Sequence, residues 1–212
     1  MKKLSTCLLA FVLLIAFSTN SNEAKAQSNE GEVVISAGVG WGILHGLLTA
    51  LGEGADQAGI ENKAVPPIFA HIDYGINEGF SIGGAYTVAQ YTFGDTWIDS
   101  TTTPGNSTIE NVELQIRRTN IAVRPLFHFG NGETMDLYAG PRIGVTMWNT
   151  EVTGSNLDPA DQDYDGLGDG TNFAVQALFG ARAYITDNIG ANFEVGLGTA
   201  PYFVAFGLAA RF

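Results

Sequence analysis

The last eleven residues, Tyr202 to Phe212, read YFVAFGLAARF. Taken alternately, Tyr202, Val204, Phe206, Leu208, Ala210 and Phe212 form one face, and all but Ala210 are large and apolar. The other face, Phe203, Ala205, Gly207, Ala209 and Arg211, is smaller and ends in a cation. A β-strand repeats every two residues, so this stretch predicts a strand with one oily side and one side that accepts charge.

Working back from it, the same alternation recurs seven times. The first segment, residues 32–43, sets Val33, Ile35, Ala37, Val39 and Trp41 opposite Ser36, Gly38, Gly40 and Gly42. Those three spaced glycines lack the third glycine of a dinucleotide fingerprint in its place, and no helical pattern follows closely. They read instead as small residues lining a narrow interior. Residues 67–76 put Ile68, Ala70, Ile72, Tyr74 and Ile76 outward, with His71 and Asp73 inward. Residues 80–93 put Phe80, Ile82, Tyr86 and Val88 outward, with Ser81, Thr87 and Tyr91 inward. In residues 113–129, Ile121, Val123, Pro125, Phe127 and Phe129 alternate with Asn120, Arg124 and His128. Arg117 falls on the outward side, near the outer end. In residues 135–148, Leu137, Ile143, Val145 and Met147 alternate with Asp136, Tyr138, Arg142 and Thr146. Residues 172–185 set Phe173, Val175, Phe179 and Ile185 against Gln176 and Arg182. Residues 189–199 set Ile189, Phe193, Val195 and Leu197 against Asn192 and Glu194. A short helix is predicted within 44–58, weakened by Gly46, Gly52 and Gly54.

The connections alternate in length. Those after the second, fourth and sixth strands are short turns, and those after the first, third and fifth are long. Short periplasmic turns and long extracellular loops are the asymmetry of outer-membrane barrels. The terminal aromatic, the alternation and this loop pattern resemble the small eight-stranded bacterial outer-membrane proteins of the OmpA transmembrane-domain and OmpX type. The resemblance implies an all-β, antiparallel, up-and-down transmembrane barrel. It also implies lipid as a partner, and that the assembly machinery reads Tyr202, Val204, Phe206, Leu208, Ala210 and Phe212 as its signal. A soluble lipocalin-like barrel would put its apolar side inward. Here the arginines take the side opposite the oily one.

The N-terminus fits that address. Met1-Lys2-Lys3, the apolar run 8–17 and the small-x-small site Ala24-Lys25-Ala26 make a secretory signal peptide, residues 1–26. The run is too short to span a bilayer as a helix, which needs about 20 residues. The expected mature domain is 27–212. It has no cysteine, since Cys7 lies in the leader. Removing Lys2, Lys3, Lys25 and Glu23 from 10 cations and 22 anions leaves 7 against 21, a net charge of −14. Such a chain is a poor partner for nucleic acid.

An eight-stranded barrel has an interior just filled by side chains, which argues against a wide channel. The inward ions Asp73, Arg124, Asp136, Arg142, Arg182, Glu194 and Arg211 are therefore expected to pair within the lumen, because an unpaired buried charge is costly. The alternative is a gated ion path or a ligand-binding cleft, a transport barrel. Catalysis is not expected. None of His45, His71 or His128 is obviously matched to a serine or aspartate at the outer rim.

One loop motif stands apart: Asp161-Gln-Asp163-Tyr-Asp165-Gly166-Leu167-Gly-Asp169. Hard cations take several oxygens from one tight turn, and the glycine permits that turn. The motif resembles the first part of an EF-hand loop or a thrombospondin type 3 repeat. Asp161, Asp163, Asp165, Asp169 and the Leu167 carbonyl would be the ligands. Position 12 is Asn172 rather than the bidentate Glu, so any calcium site would be weak, in the roughly millimolar range. The alternative is a solvated acidic tip. No other cofactor is expected, and the sequence names no extracellular partner.

Overall fold

The computed structural model describes residues 30–42, 45–47, 49–50, 61–99, 108–129, 134–154, 170–199 and 202–212. The leader and the acidic repeat 161–169 lie outside the described residues. Eight strands follow in chain order: β1 Val33–Trp41, β2 Glu61–Asn77, β3 Phe80–Asp99, β4 Thr108–His128, β5 Met135–Gly154, β6 Gly170–Tyr184, β7 Ile189–Gly198 and β8 Val204–Arg211. Each pairs antiparallel with its neighbours. The last pairs with the first, from Val34 opposite Arg211 to Trp41 opposite Val204, and closes the barrel. Closure leaves no unpaired edge along the shared height of the strands.

The alternation read from the sequence is the alternation of burial. Ile35, Val39, Ile72, Tyr74, Ile82, Ile121, Val123, Phe127 and Val175 are exposed on the outside, while Ser36, His71, Asp73, Ser81, Asn120, Arg124 and Gln176 are buried inside. Among the described residues no helix is long and apolar enough to cross a membrane. Residues 45–47 and 49–50 are helical, within the stretch predicted to hold a short helix.

Two readings need correction. First, several strands run further toward the long-loop end than their apolar pattern. Residues 61–65 pair with β3 rather than forming a loop, and residues 94–99 of β3 pair with 108–113 of β4. Likewise 149–154 of β5 pair with β4. Ladder hydrogen bonds carry a hairpin past the point where hydrophobic alternation gives out. Second, Tyr202 is not on the oily face. It is inside the barrel at 2% exposure, and Phe203 is out at 38%. A bend at Phe203 just ahead of β8 reverses the parity. Asn172, position 12 of the acidic motif and the expected start of the sixth strand, belongs to β6 and pairs with Thr146. That ladder begins at Gly170.

Glycines and large side chains alternate across the interior. A Cβ at Gly180 would meet the Tyr138 ring, one at Gly196 the Gln176 amide, and one at Gly40 the Tyr202 side chain. The glycines are what lets these side chains fill the lumen. Two prolines face each other outside, Pro125 on β4 and Pro141 on β5. The ladder has a gap there, between the pairs Val123–Ile143 and Phe127–Ala139, because proline has no N–H to donate. The short turns are capped locally. Asn77 Oδ1 accepts from Gly79 N at 2.9 Å, and Thr186 Oγ1 from Ile189 N at 3.0 Å.

Candidate functional site

The interior is the candidate site. Its centre is a chain of alternating charges drawn from five strands. Asp136 on β5 accepts from Arg182 NH1 on β6 at 3.2 Å. Arg182 NH2 donates to Asp73 on β2. Asp73 Oδ1 lies 3.1 Å from Arg124 Nε on β4. Arg124 NH2 donates to Glu194 Oε1 on β7 at 2.5 Å. All five residues are at most 2% exposed.

Two tyrosines complete the shell of Glu194. Tyr138 Oη lies 2.6 Å from Oε1 and Tyr202 Oη 2.6 Å from Oε2. Arg124 NH1 donates to His71 Nδ1 at 2.5 Å. Since Nδ1 accepts, the ring hydrogen is on Nε2, which faces Tyr202 Oη at 3.3 Å. A buried ion pair offsets its desolvation only when the remaining lone pairs and protons are also satisfied, and this shell satisfies the Glu194 oxygens.

Of the seven ions expected to pair, the geometry joins Asp73, Arg124, Asp136, Arg182 and Glu194. It leaves two elsewhere. Arg142 has no carboxylate within ion-pair distance among the described residues. Its NH2 donates to Thr87 Oγ1 and Asn120 Oδ1, each at 2.7 Å, and its guanidinium lies 5.1 Å from the Tyr202 ring centre. Arg211 is at the periplasmic rim, stacked on Tyr184 at 4.0 Å with Nε donating to the Asp187 carbonyl. Reading parity alone missed Tyr202 and gave no weight to Tyr138 as a ligand of Glu194.

The sequence matches no histidine to a serine or aspartate at the outer rim; the structure brings such a group together at the opposite end. At the periplasmic end His128 Nε2 lies 2.8 Å from Ser81 Oγ, and His128 Nδ1 lies 2.7 Å from Asp136 Oδ1. That is the connectivity of a Ser-His-Asp triad. The short turn fixing the β2–β3 register, and the parity of β4 and β5, held the signal. Two features set it apart from a hydrolytic site. Ser81 is paired on both sides, opposite Gly75 and Leu126, so the N–H groups around it lie in the sheet plane instead of pointing at an oxyanion. Ser81 is also only 2% exposed. The arrangement holds Asp136 and extends the hydrogen-bonded chain to the lower mouth.

At the other end, Arg118 on β4 reaches across the lumen and donates from NH2 to the Thr199 carbonyl at 2.5 Å, with its guanidinium 4.9 Å from the Trp148 ring centre. His45 sits beside this mouth, with ring centroids 5.0 Å from Trp41 and 5.9 Å from Tyr91. Burial there lowers the His45 pKa from its ordinary value. The calcium ligands proposed at Asp161, Asp163, Asp165, Leu167 and Asp169 lie outside the described residues. Among the described residues no cluster of three or more His, Cys, Asp or Glu could hold a metal.

No family model matches the chain, and no curated protein does. Solved structures similar to it are small bacterial barrels. The outer membrane protein Ail of Yersinia pestis, in a phospholipid bilayer nanodisc, is 12% identical over 86% of this chain and 100% of that one, with a TM-score of 0.44. Crystalline Ail in complex with the heparin analogue sucrose octasulfate is 12% identical over 86% and 99%, with a TM-score of 0.42. The N-terminal β-barrel domain of Pseudomonas aeruginosa OprF is 14% identical over 86% and 98%, with a TM-score of 0.39. At these values nothing of their function carries over.

Proposed function

We propose that this chain is a bacterial outer-membrane β-barrel protein with a filled lumen, acting at the cell surface as a structural and interaction protein and not as a catalyst. One observation carries the reading: the barrel is apolar outside and charged inside. Residues such as Leu208 (67% exposed) and Phe173 (71%) face outward while three arginines are buried within. In water this arrangement exposes its oil and buries its ions. In a bilayer both faces are matched, and closure satisfies the backbone. The signal-like segment 1–26 and the aromatic alternation of β8 support a reading of export and of recognition by the assembly machinery, with outer-membrane lipid as the standing partner.

The test is fractionation with heat-modifiable gel mobility. The protein is expected in the outer-membrane fraction, with a folded band that shifts on boiling. Recovery as a soluble periplasmic protein after mild lysis sinks the proposal. The non-catalytic part has its own test. A fluorophosphonate probe applied to the refolded barrel should leave Ser81 unlabelled, and labelling lost in Ser81→Ala would reverse that part alone.

A further inference from the structure

Above the ion chain the interior changes character. The described inward groups at the level of Arg142 and Arg118 include Thr87, Asn120, Thr146 and Gln176, with no carboxylate among the described residues. Arg142 is 1% exposed, yet its Nε and NH1 have no acceptor, and neither does Arg118 Nε. A permanently charged, buried donor whose hydrogen bonds go unfilled is costly. Gln176 Oε1 is the unpaired acceptor of this layer. It calls for a donor and limits an anion to the Arg118 side.

The second observation lies just above. The tall part of the sheet is two-faced. Its convex side carries Thr92, Gln115, Arg117 and Glu151. Its concave side, over the mouth, carries Phe93 opposite Leu114 opposite Val152, and Tyr91 opposite Ile116. Phe93, Leu114, Ile116, Val152 and Trp148 are each only half-buried. Trp148 joins this wall to the arginine layer through its stacking on Arg118. Unfilled cation donors at the bottom and an apolar wall above are complementary to a molecule with an anionic head and an apolar tail.

We propose that the extracellular end of the lumen binds a fatty-acid carboxylate, its head group on Arg142 and Arg118 and its chain along Phe93, Leu114, Ile116 and Trp148. Arg118 is then the specificity determinant. It is half-exposed, holds no buried carboxylate in place, and can release the Thr199 carbonyl to accept the ligand. Charge-assisted hydrogen bonds to a guanidinium are the strong kind. The apolar wall adds affinity in proportion to the chain area it covers. This goes beyond the surface role proposed above, and its test does not depend on where the protein resides in the cell.

The test uses the full mature barrel, refolded in nanodiscs, with Trp41 and Trp97 replaced by Phe so that Trp148 is the reporter. 2-Bromododecanoate is titrated, since bromine quenches a tryptophan it touches and on the carbon beside the head group it lies against Trp148, the ring stacked on Arg118. The expected result is saturable quenching, reversed by unbrominated dodecanoate, and weakened about tenfold or more in Arg118→Gln, the loss of roughly one charge-assisted contact. Arg142→Gln should weaken it too, provided heat-modifiable mobility shows that variant folded. 2-Bromododecan-1-ol should quench only by partitioning into lipid, without saturation. Equal quenching by acid and alcohol, no saturation with the acid, or an unchanged titration in folded Arg118→Gln each overturns the proposal and leaves ordered water as the occupant of those donors.

Discussion

Gly180 has no side chain because the Tyr138 ring occupies the space where one would begin. In a lumen this full, adding one carbon is overpacking, which costs about 1–3 kcal/mol. Gly180→Ala is expected to lower the unfolding free energy of the refolded barrel, read from urea titration, by that amount. Removing charge should cost more. Arg124→Met leaves both Asp73 and Glu194 short of a partner, and breaking a buried pair from one side costs about 3–5 kcal/mol. Tyr202→Phe deletes only the hydroxyl facing Glu194 Oε2, an effect of about 1–3 kcal/mol. The order expected in equilibrium unfolding is Arg124→Met most destabilised, then Tyr202→Phe. A Tyr202→Phe loss equal to that of Arg124→Met would mean that the tyrosine shell, rather than the guanidinium, holds Glu194.

Strands report their own depth. Ile72 is near the middle of β2, and Ile185 lies just beyond the periplasmic end of β6. Both face outward, at 54% and 82% exposure. A lysine on the lipid face costs about 2–4 kcal/mol at the midplane and about 0–1 near an interface. Ile72→Lys should therefore destabilise the bilayer-embedded barrel by several kcal/mol, while Ile185→Lys should leave it nearly unchanged. Equal costs would mean that the apolar belt is not where the outward residues place it. The β5–β6 connection carries its own prediction. Since Gly170 and Asn172 are committed to the β6 ladder, only the segment 161–169 is left to gather ligands. Calcium titrated calorimetrically into the refolded barrel should bind weakly, around a millimolar, and the binding should vanish in Asp163→Ala and Asp165→Ala. No heat up to several millimolar leaves a solvated acidic loop.

For the whole molecule, the interior decides what passes. Five ions in one ion-paired chain, with Tyr138, Tyr202 and Gln176 packed against glycines, leave no continuous wide path among the described residues. Planar-bilayer recordings should show no stable, high-conductance pore from the wild type. Such a pore would overturn the filled-lumen reading. The barrel was legible in the chain because a strand in lipid must show oil on one side and pack its other side against a narrow interior. Eight period-two segments with alternating short and long connections allow few arrangements. The facing of Ile35, Ile72 and Ile121, and of Asp73, Arg124 and Arg182, follows from counting by twos.

Counting by twos stops wherever the backbone bends or a partner lies on another strand. Tyr202 is the plain case. A single bend at Phe203 turns it from the lipid face to the hydrogen bond with Glu194. The pairing of ions is another. Periodicity tells that Arg142 and Arg124 both point inward, but not that one is held between two carboxylates while the other meets Thr87, Asn120 and the Tyr202 ring. That difference depends on the registers of β2, β4, β5 and β7 together, set by turn geometry at one end and by barrel closure at the other. Ser81, His128 and Asp136 likewise meet only because two hairpins bring their ends to the same level. Composition and alternation are local along the chain, so one sequence shows them. Which charges touch is a property of several strands at once, so it emerges only when the barrel has closed.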